Sequence, residues 1–551
     1  MAVPVAEAGA QGVAGSYLAA RHATYQSDFR ALADYATRAL VHDPANPALL
    51  ESAVTAFVSL GSLDRAVPFA RRMQAQGIDS QLAHIVLAAD QAGLGDFSAL
   101  LADTEAGHSV GPLVDGLMAA WALIGEGRMS DALAAFDAVT AQPGLAGFGL
   151  YHKALALAAA GDFEGADAIF ADGAAPMQRA RRGAVAYAQI LSQLGRNEAA
   201  LEVLERAYPD PADPAVAALR RTLQSGARAP FTMLARAQDG LAEVFFSVAN
   251  ALEGEASDGY TLIYARTAAA LNPKHVDATL LSADLLEAMG RYDLATETYD
   301  LVPRDHPAFH AAEMGRAVSL HAGGQSEEAV AVLEALSETH ADLPVVHVAL
   351  GDMLRRLERY EGATRAYDRA ISLYREPEPG QWFLYFARGI THEREDNWPL
   401  AEADFRMALE LNPGQPQVLN YLGYSLVEMR ERLDEALAMI EEAVAARPDS
   451  GHIVDSLGWV LYRLGRPEEA VEHMERAAEL LPVDPIINDH LGDVYWAVGR
   501  RTEARFQWQR ALSFDPEPEE ATRIRRKLEI GLDAVYREEN SSPVDLAGDG
   551  G

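Results

Sequence analysis

Two stripes of acidic and aromatic residues near the C-terminus have the types and spacing best suited to holding another molecule. Asp455, Trp459 and Tyr462 stand four and three residues apart, which places them on one face of a helix. Asp489, Asp493 and Trp496 repeat the arrangement one unit later, and Asn420 with Tyr424 precede it. Aromatic rings supply large contact area at little entropic cost, and carboxylates fix an arginine or lysine. These eight residues are therefore the expected partner-binding groove for a protein or peptide segment. The plainer alternative is that Trp459 and Trp496 pack between neighbouring elements and the acids are solvated.

Other chemistry finds little footing. The chain has no phosphate-cradling loop ending in Gly-Lys-Ser/Thr, no His-Glu-x-x-His and no Gly-x-Ser-x-Gly. His306 and His310 have the spacing of a helical metal pair, but Pro307 lies between them and no third ligand is indicated. His392 belongs to a charged helix end, and His490, beside Asp489 and Asp493, reads as a packing or hydrogen-bonding group. Zero cysteines exclude disulfides, thiolate metal sites, thiol catalysis and lipid attachment through an N-terminal cysteine. The expectation is a non-enzyme with no catalytic residue, no metal and no cofactor. An enzyme framed by the repeats is the remote alternative.

What must position the stripes is a repeat of about 34 residues. Leu-Gly pairs recur at Leu422-Gly423, Leu457-Gly458 and Leu491-Gly492. Each is followed by an alanine (Ala436, Ala470, Ala504), a bulky residue four on (Ile440, Met474, Trp508), a second alanine (Ala443, Ala477, Ala511) and a proline (Pro448, Pro482, Pro516). Val454, Leu457 and Leu461 form one apolar helical stripe. Gly458 and Ala470 are small where two helices cross closely. Gly465 stops the first helix, Pro467 suits the first turn of the second, and Pro482 ends it.

This pattern resembles the tetratricopeptide repeat. Weaker copies run back through Ala401 and Phe405, Gly351 and Tyr367, Gly290 and Tyr299, Gly195 and Leu204, and Gly161 and Phe170 to Asp28-Phe29. The resemblance implies an all-α fold: a right-handed superhelical α-solenoid of about 13–14 helix-turn-helix units. It also implies that the first helices line the concave groove. Some members clamp a C-terminal carboxylate with lysine and asparagine there. The acids of this stripe would repel such a ligand, whereas the helix bearing Arg355 and Arg356 suits an acidic one.

The punctuation divides the chain into a disordered lead or processed remnant (1–11), a degenerate N-terminal array (12–207), a Pro-rich connector (208–236), a C-terminal array (237–516), a capping helix (517–538) and a disordered tail (539–551). The net charge of −35 over 551 residues disfavours nucleic acid and anionic membrane surfaces and favours solubility. No segment is long and apolar enough to insert in a membrane. Self-association is left open. Only Lys153, Lys274 and Lys527 are lysines, so arginine supplies the rest of the basic charge, as in a bacterial genome rich in G and C.

The run from Asp455 to Tyr462, through Ile487 to Asp493, to Gln507-Trp508 resembles a group of proteobacterial envelope proteins with many tetratricopeptide repeats. Some of these are outer-membrane lipoproteins that present substrates to a carboxyl-terminal processing protease. The resemblance implies an envelope scaffold or protease adaptor. The chain departs from it in lacking the lipid-bearing cysteine. As written it also has no basic region before Arg21, although Ala6-Glu7-Ala8 resembles a cleavage site. A cytoplasmic assembly platform of the same fold is the alternative.

Overall fold

The structure is a computed structural model that describes residues 13–172, 181–209 and 214–539. Among these residues the regular structure is all helical. There are fourteen consecutive helix pairs, a single helix at Pro214–Gln224 and two terminal helices, Pro518–Ile530 and Leu532–Glu538. The expected lead (1–11), the centre of the Pro-rich stretch (210–213) and all but the first residue of the tail lie outside the described residues.

Local chemistry sets the helix ends. Asp28 accepts a hydrogen bond from the Ala31 N–H at 3.0 Å, and Asn46, Ser80, Asp96 and Asp484 cap their helices in the same way. Gly465 has φ of +76°, a conformation that disfavours any side chain, and so it terminates Gly451–Arg463 before Pro467 opens the next helix. Within a pair, contact is close. A Cβ on Gly458 would lie 2.3 Å from Met474 Sδ.

The chain forms two compact units, residues 1–336 and 337–551. The boundary therefore does not fall in the expected connector at 208–236, and the reason lies in the pair that follows it. Helices Ala237–Leu252 and Asp258–Leu271 pack against Pro47–Ser59, Gln81–Leu94, Pro112–Gly125 and Ala146–Ala159. Each of those is the first helix of its pair, so the later helices fill the inner side of the N-terminal array instead of extending a second one. Close approach is built in at Gly240, where a Cβ would lie 2.2 Å from the buried Trp121 ring. Arg266, buried at 7% exposure, donates to the Ser59 carbonyl at 3.1 Å and to Thr298 Oγ1 at 2.8 Å.

A buried polar node fastens the same contact. Glu243, 1% exposed, accepts from Tyr151 Oη at 2.8 Å and from Arg182 Nε at 2.9 Å, with His275 Nε2 at 3.2 Å. Burial alone would raise the Glu243 carboxyl, but Arg182, His275 and His152 hold it far below the ordinary carboxylate range. His152, fully enclosed, accepts the Trp121 indole N–H at 3.1 Å on Nδ1, and Nε2 lies 3.1 Å from Ser247 Oγ. Burial lowers its pKa to about 4, so it is a neutral ring at ordinary pH.

The second unit stacks five pairs from Pro344–Arg356 and Tyr360–Ser372 to Pro485–Ala497 and Arg501–Leu512. Its apolar core runs through Phe405, Leu422, Ile440, Val460, Met474 and Trp508. Two terminal helices, Pro518–Ile530 and Leu532–Glu538, separated at Gly531, lie in the stretch 517–538.

Candidate partner-binding groove

The eight predicted residues sit on three successive first helices: Pro416–Glu428, Gly451–Arg463 and Pro485–Ala497. Neighbouring first helices touch, so the stripes form one contiguous surface as the spacing requires. That surface is not the open wall expected from the sequence. Asp455, Trp459, Tyr462, Asp493 and Trp496 are all buried, Asp489 is largely so, and Asn420 and Tyr424 are half-buried.

The polar atoms of the buried members are held within the chain. Trp459 stacks on His490 with ring centroids 3.9 Å apart, and its indole N–H donates to Glu428 at 2.9 Å. Asp455 lies 3.0 Å from His490 Nδ1. Burial alone would lower the His490 imidazole. Asp455, with Asp489 and Asp493, outweighs burial and holds the ring above its ordinary pKa. Burial, then Glu428 and Asp455, push the Tyr424 phenol well up.

The terminal helices account for the rest. Lys527, with no exposed surface, donates to Asp489 Oδ2 at 2.7 Å and to Asp493 Oδ1 and Oδ2 at 2.7 and 2.8 Å. Asp493 also accepts the Trp508 indole N–H at 2.9 Å. Burial pushes the Asp493 carboxyl up, and Lys527 and Arg523 pull back against it. Trp496 donates to Asp533 at 3.1 Å, and the Tyr462 and Tyr536 hydroxyls lie 3.3 Å apart. The carboxylates and aromatics thus hold a basic segment of the chain itself.

Sequence reasoning missed Glu428, Lys527, Arg523, Asp533 and Tyr536 as members of this cluster. Lys527 carried a signal: it is one of three lysines in 551 residues and lies in the run Arg523-Ile524-Arg525-Arg526-Lys527. Arg523 shares that run, whereas Glu428, Asp533 and Tyr536 carried no signal, because each of their contacts joins residues more than 30 positions apart.

Upstream of this cluster the inner stripe stays open. Positions six residues before the repeat glycine continue the stripe, and there Val345 and Phe383 are 45 and 43% exposed; the next two repeats hold Gln417 and His452, and Ile486, 46% exposed, lies on the cluster's own last helix. Asn420 Oδ1 and Asp489 Oδ1 are buried acceptors with no hydrogen-bond partner among the described residues. The helix with Arg355 and Arg356 spends Arg355 on Tyr367 at 3.2 Å and leaves Arg356 exposed. His306 and His310 each engage local backbone groups, and no cluster of three metal-ligating side chains occurs among the described residues. No described helix is long and apolar enough to cross a membrane.

Comparison with known proteins fits this geometry. A tetratricopeptide repeat family model matches residues 280–344, 348–416, 386–451, 421–485 and 456–517, and a second matches 183–208. A TPR repeat-containing protein of Pseudomonas aeruginosa is 26% identical over 159 residues, covering 29% of this chain and 26% of that protein. Human tetratricopeptide repeat protein 13 is 28% identical over 184 residues, covering 32% of this chain and 21% of that one. The chain spans about a quarter of the length of these curated relatives. The crystal structure of yeast Tom70 aligns over 96% of both chains at 16% identity, with a TM-score of 0.36. The helix pairs from residue 280 to 517, with one earlier copy at 183–208, are tetratricopeptide repeats.

Proposed function

We propose that the chain is a non-catalytic scaffold that holds a protein or peptide segment on the inner stripe of its C-terminal repeats. The observation that carries this reading is the exposed apolar side chain at the same position of two adjacent repeats, Val345 and Phe383; the next two repeats hold Gln417 and His452 there, and Ile486 follows in the last. Exposed hydrophobic groups in register along one face mark an interaction surface, whereas scattered ones are ordinary. The half-buried Phe386 and Ile390 continue the stripe from Phe383. Tetratricopeptide repeats typically serve as binding frames, in keeping with this role.

The test is site-specific photo-crosslinking from position 383, with a control from exposed Phe506 on a second helix. Partner capture from 383, lost with Phe383→Glu at unchanged helix content, supports the reading. Equal capture from both positions, or none from 383, overturns it. An envelope location and a protease-adaptor role are supported by the resemblance of the Asp455–Trp508 stretch alone. Cell fractionation of the tagged full chain tests the location.

A further inference from the structure

A helix that merely shields the last pair of a repeat array needs an apolar inner face and a polar outer one. Pro518–Ile530 has something costlier. It drives a lysine into a site with no solvent exposure, between two carboxylates and 5.9 Å over the Trp508 ring. A hydrophobic side chain of similar volume would usually serve stability as well or better, so a buried ion pair here selects what sits in the seat.

Three further features give this segment the properties of a bound ligand. Arg523, Arg525, Arg526 and Lys527 put four basic residues into five positions, the densest basic run of a chain carrying −35, and it lies on an acidic seat. Gly531, with φ of +85° and ψ of 154°, turns the chain back so that Leu532–Glu538 lies over the first helices. A Cβ there would meet Trp496 at 2.7 Å, so the return passes tightly over that indole. Tyr536 then anchors the end, buried against Tyr462.

We infer that Asp489, Asp493, Trp496 and Tyr462 form a ligand seat for a lysine-anchored basic helix, filled in the free chain by residues 518–538 and opened to a partner helix of the same chemistry by displacement of that segment. The partner class is a protein bearing a basic amphipathic helix with one lysine on its apolar face. The inference rests on the scaffold reading only in supposing that a partner exists.

The probe is a fluorescent synthetic peptide of residues 517–539, titrated into the full chain and into full-length Tyr536→Ala, which weakens the internal occupant but keeps Lys527. Binding at least tenfold tighter to Tyr536→Ala, and lost at least tenfold when the peptide carries Lys527→Ala, is the expected result. Equal affinity for the two proteins, or indifference to the peptide lysine, overturns the inference. Full-length Asp533→Ala, which removes the Trp496 hydrogen bond and the 3.6 Å Arg501 ion pair, gives a second opening variant should Tyr536→Ala lose helix content. Crosslinking from position 383 reads the scaffold proposal separately. Capture at 383 without peptide displacement sinks only the seat, and displacement without capture sinks only the upstream surface.

Discussion

Replacing Arg182 by methionine tests how the first unit holds its inner helices. The guanidinium donates to Glu243 at 3.1 and 2.9 Å and to Asp277 at 2.6 Å, with its side chain 20% exposed, whereas the Glu243 side chain is 1% exposed. Methionine keeps much of the aliphatic volume and removes the charge, leaving a buried carboxylate with Tyr151 and His275. Breaking a buried pair by removing one partner costs about 3–5 kcal/mol at neutral pH. The sign of the pH dependence follows from Glu243. In the native chain its depressed pKa gives stability present above the unfolded carboxylate value and lost as pH falls through the folded one. Without Arg182, burial raises the folded value, so the contribution is present at low pH and lost as pH rises. The deficit of Arg182→Met is therefore largest near pH 7 and shrinks toward pH 4.5. Amide hydrogen exchange of Ala237–Leu252 reads it, because two units need not unfold together. The ratio of variant to native exchange should be on the order of 10²–10³ at pH 7, at 1.4 kcal/mol per tenfold, and much smaller at pH 5. A ratio below about threefold, or one independent of pH, would refute this account of the node.

Other perturbations follow from single contacts. Gly492→Ala places a Cβ 2.4 Å from the Trp508 indole and 3.2 Å from the Ala504 carbonyl, and should cost about 2–3 kcal/mol in urea unfolding of the second unit. Gly458→Ala meets the flexible Met474 thioether and should cost about 1 kcal/mol. His152, with its folded pKa lowered to about 4, contributes stability that is full above pH 6.5 and lost as pH falls toward 4. Acid should therefore weaken the first unit by about 3 kcal/mol through this ring, and His152→Asn should show a shallower pH slope in urea midpoints. Gly531→Ala strains a glycine-only backbone and crowds Trp496, which should release Leu532–Glu538 and shift Trp496 emission to the red.

The repeat was legible because its physics is local. Gly423, Gly458 and Gly492 are small where a partner side chain touches them, Gly465 adopts the left-handed turn, and Pro467 opens the next helix. The stripe of carboxylates and aromatics was legible for the same reason, since spacings of three and four place residues on one face. What covers the stripe was not. Lys527 reaches Asp489 and Asp493 across 38 and 34 positions, and no periodicity reports that Gly531 reverses the chain. The first unit hid more. By the punctuation of the sequence, Ala237–Leu252 and Asp258–Leu271 belong to the C-terminal array that begins at 237. Arg266 reaching Ser59 across 207 positions makes that pair the filling of the N-terminal array. The Pro-rich stretch at 208–236 signals a break in helical rhythm, but a break in rhythm does not locate a unit boundary when the following helices return to the preceding array.

Hydrogen exchange of residues 532–538 in the full chain most directly tests whether this segment occupies the first helices of the last repeats. A seven-residue helix near a chain end cannot hold its amides against water by itself, so any lasting protection there reports docking. Docking through Tyr536 and Asp533 predicts protection of these amides approaching that of Pro485–Ala497, and its loss in Tyr536→Ala. Exchange of 532–538 at the rate of an unstructured peptide, with the repeats fully protected, would contradict it.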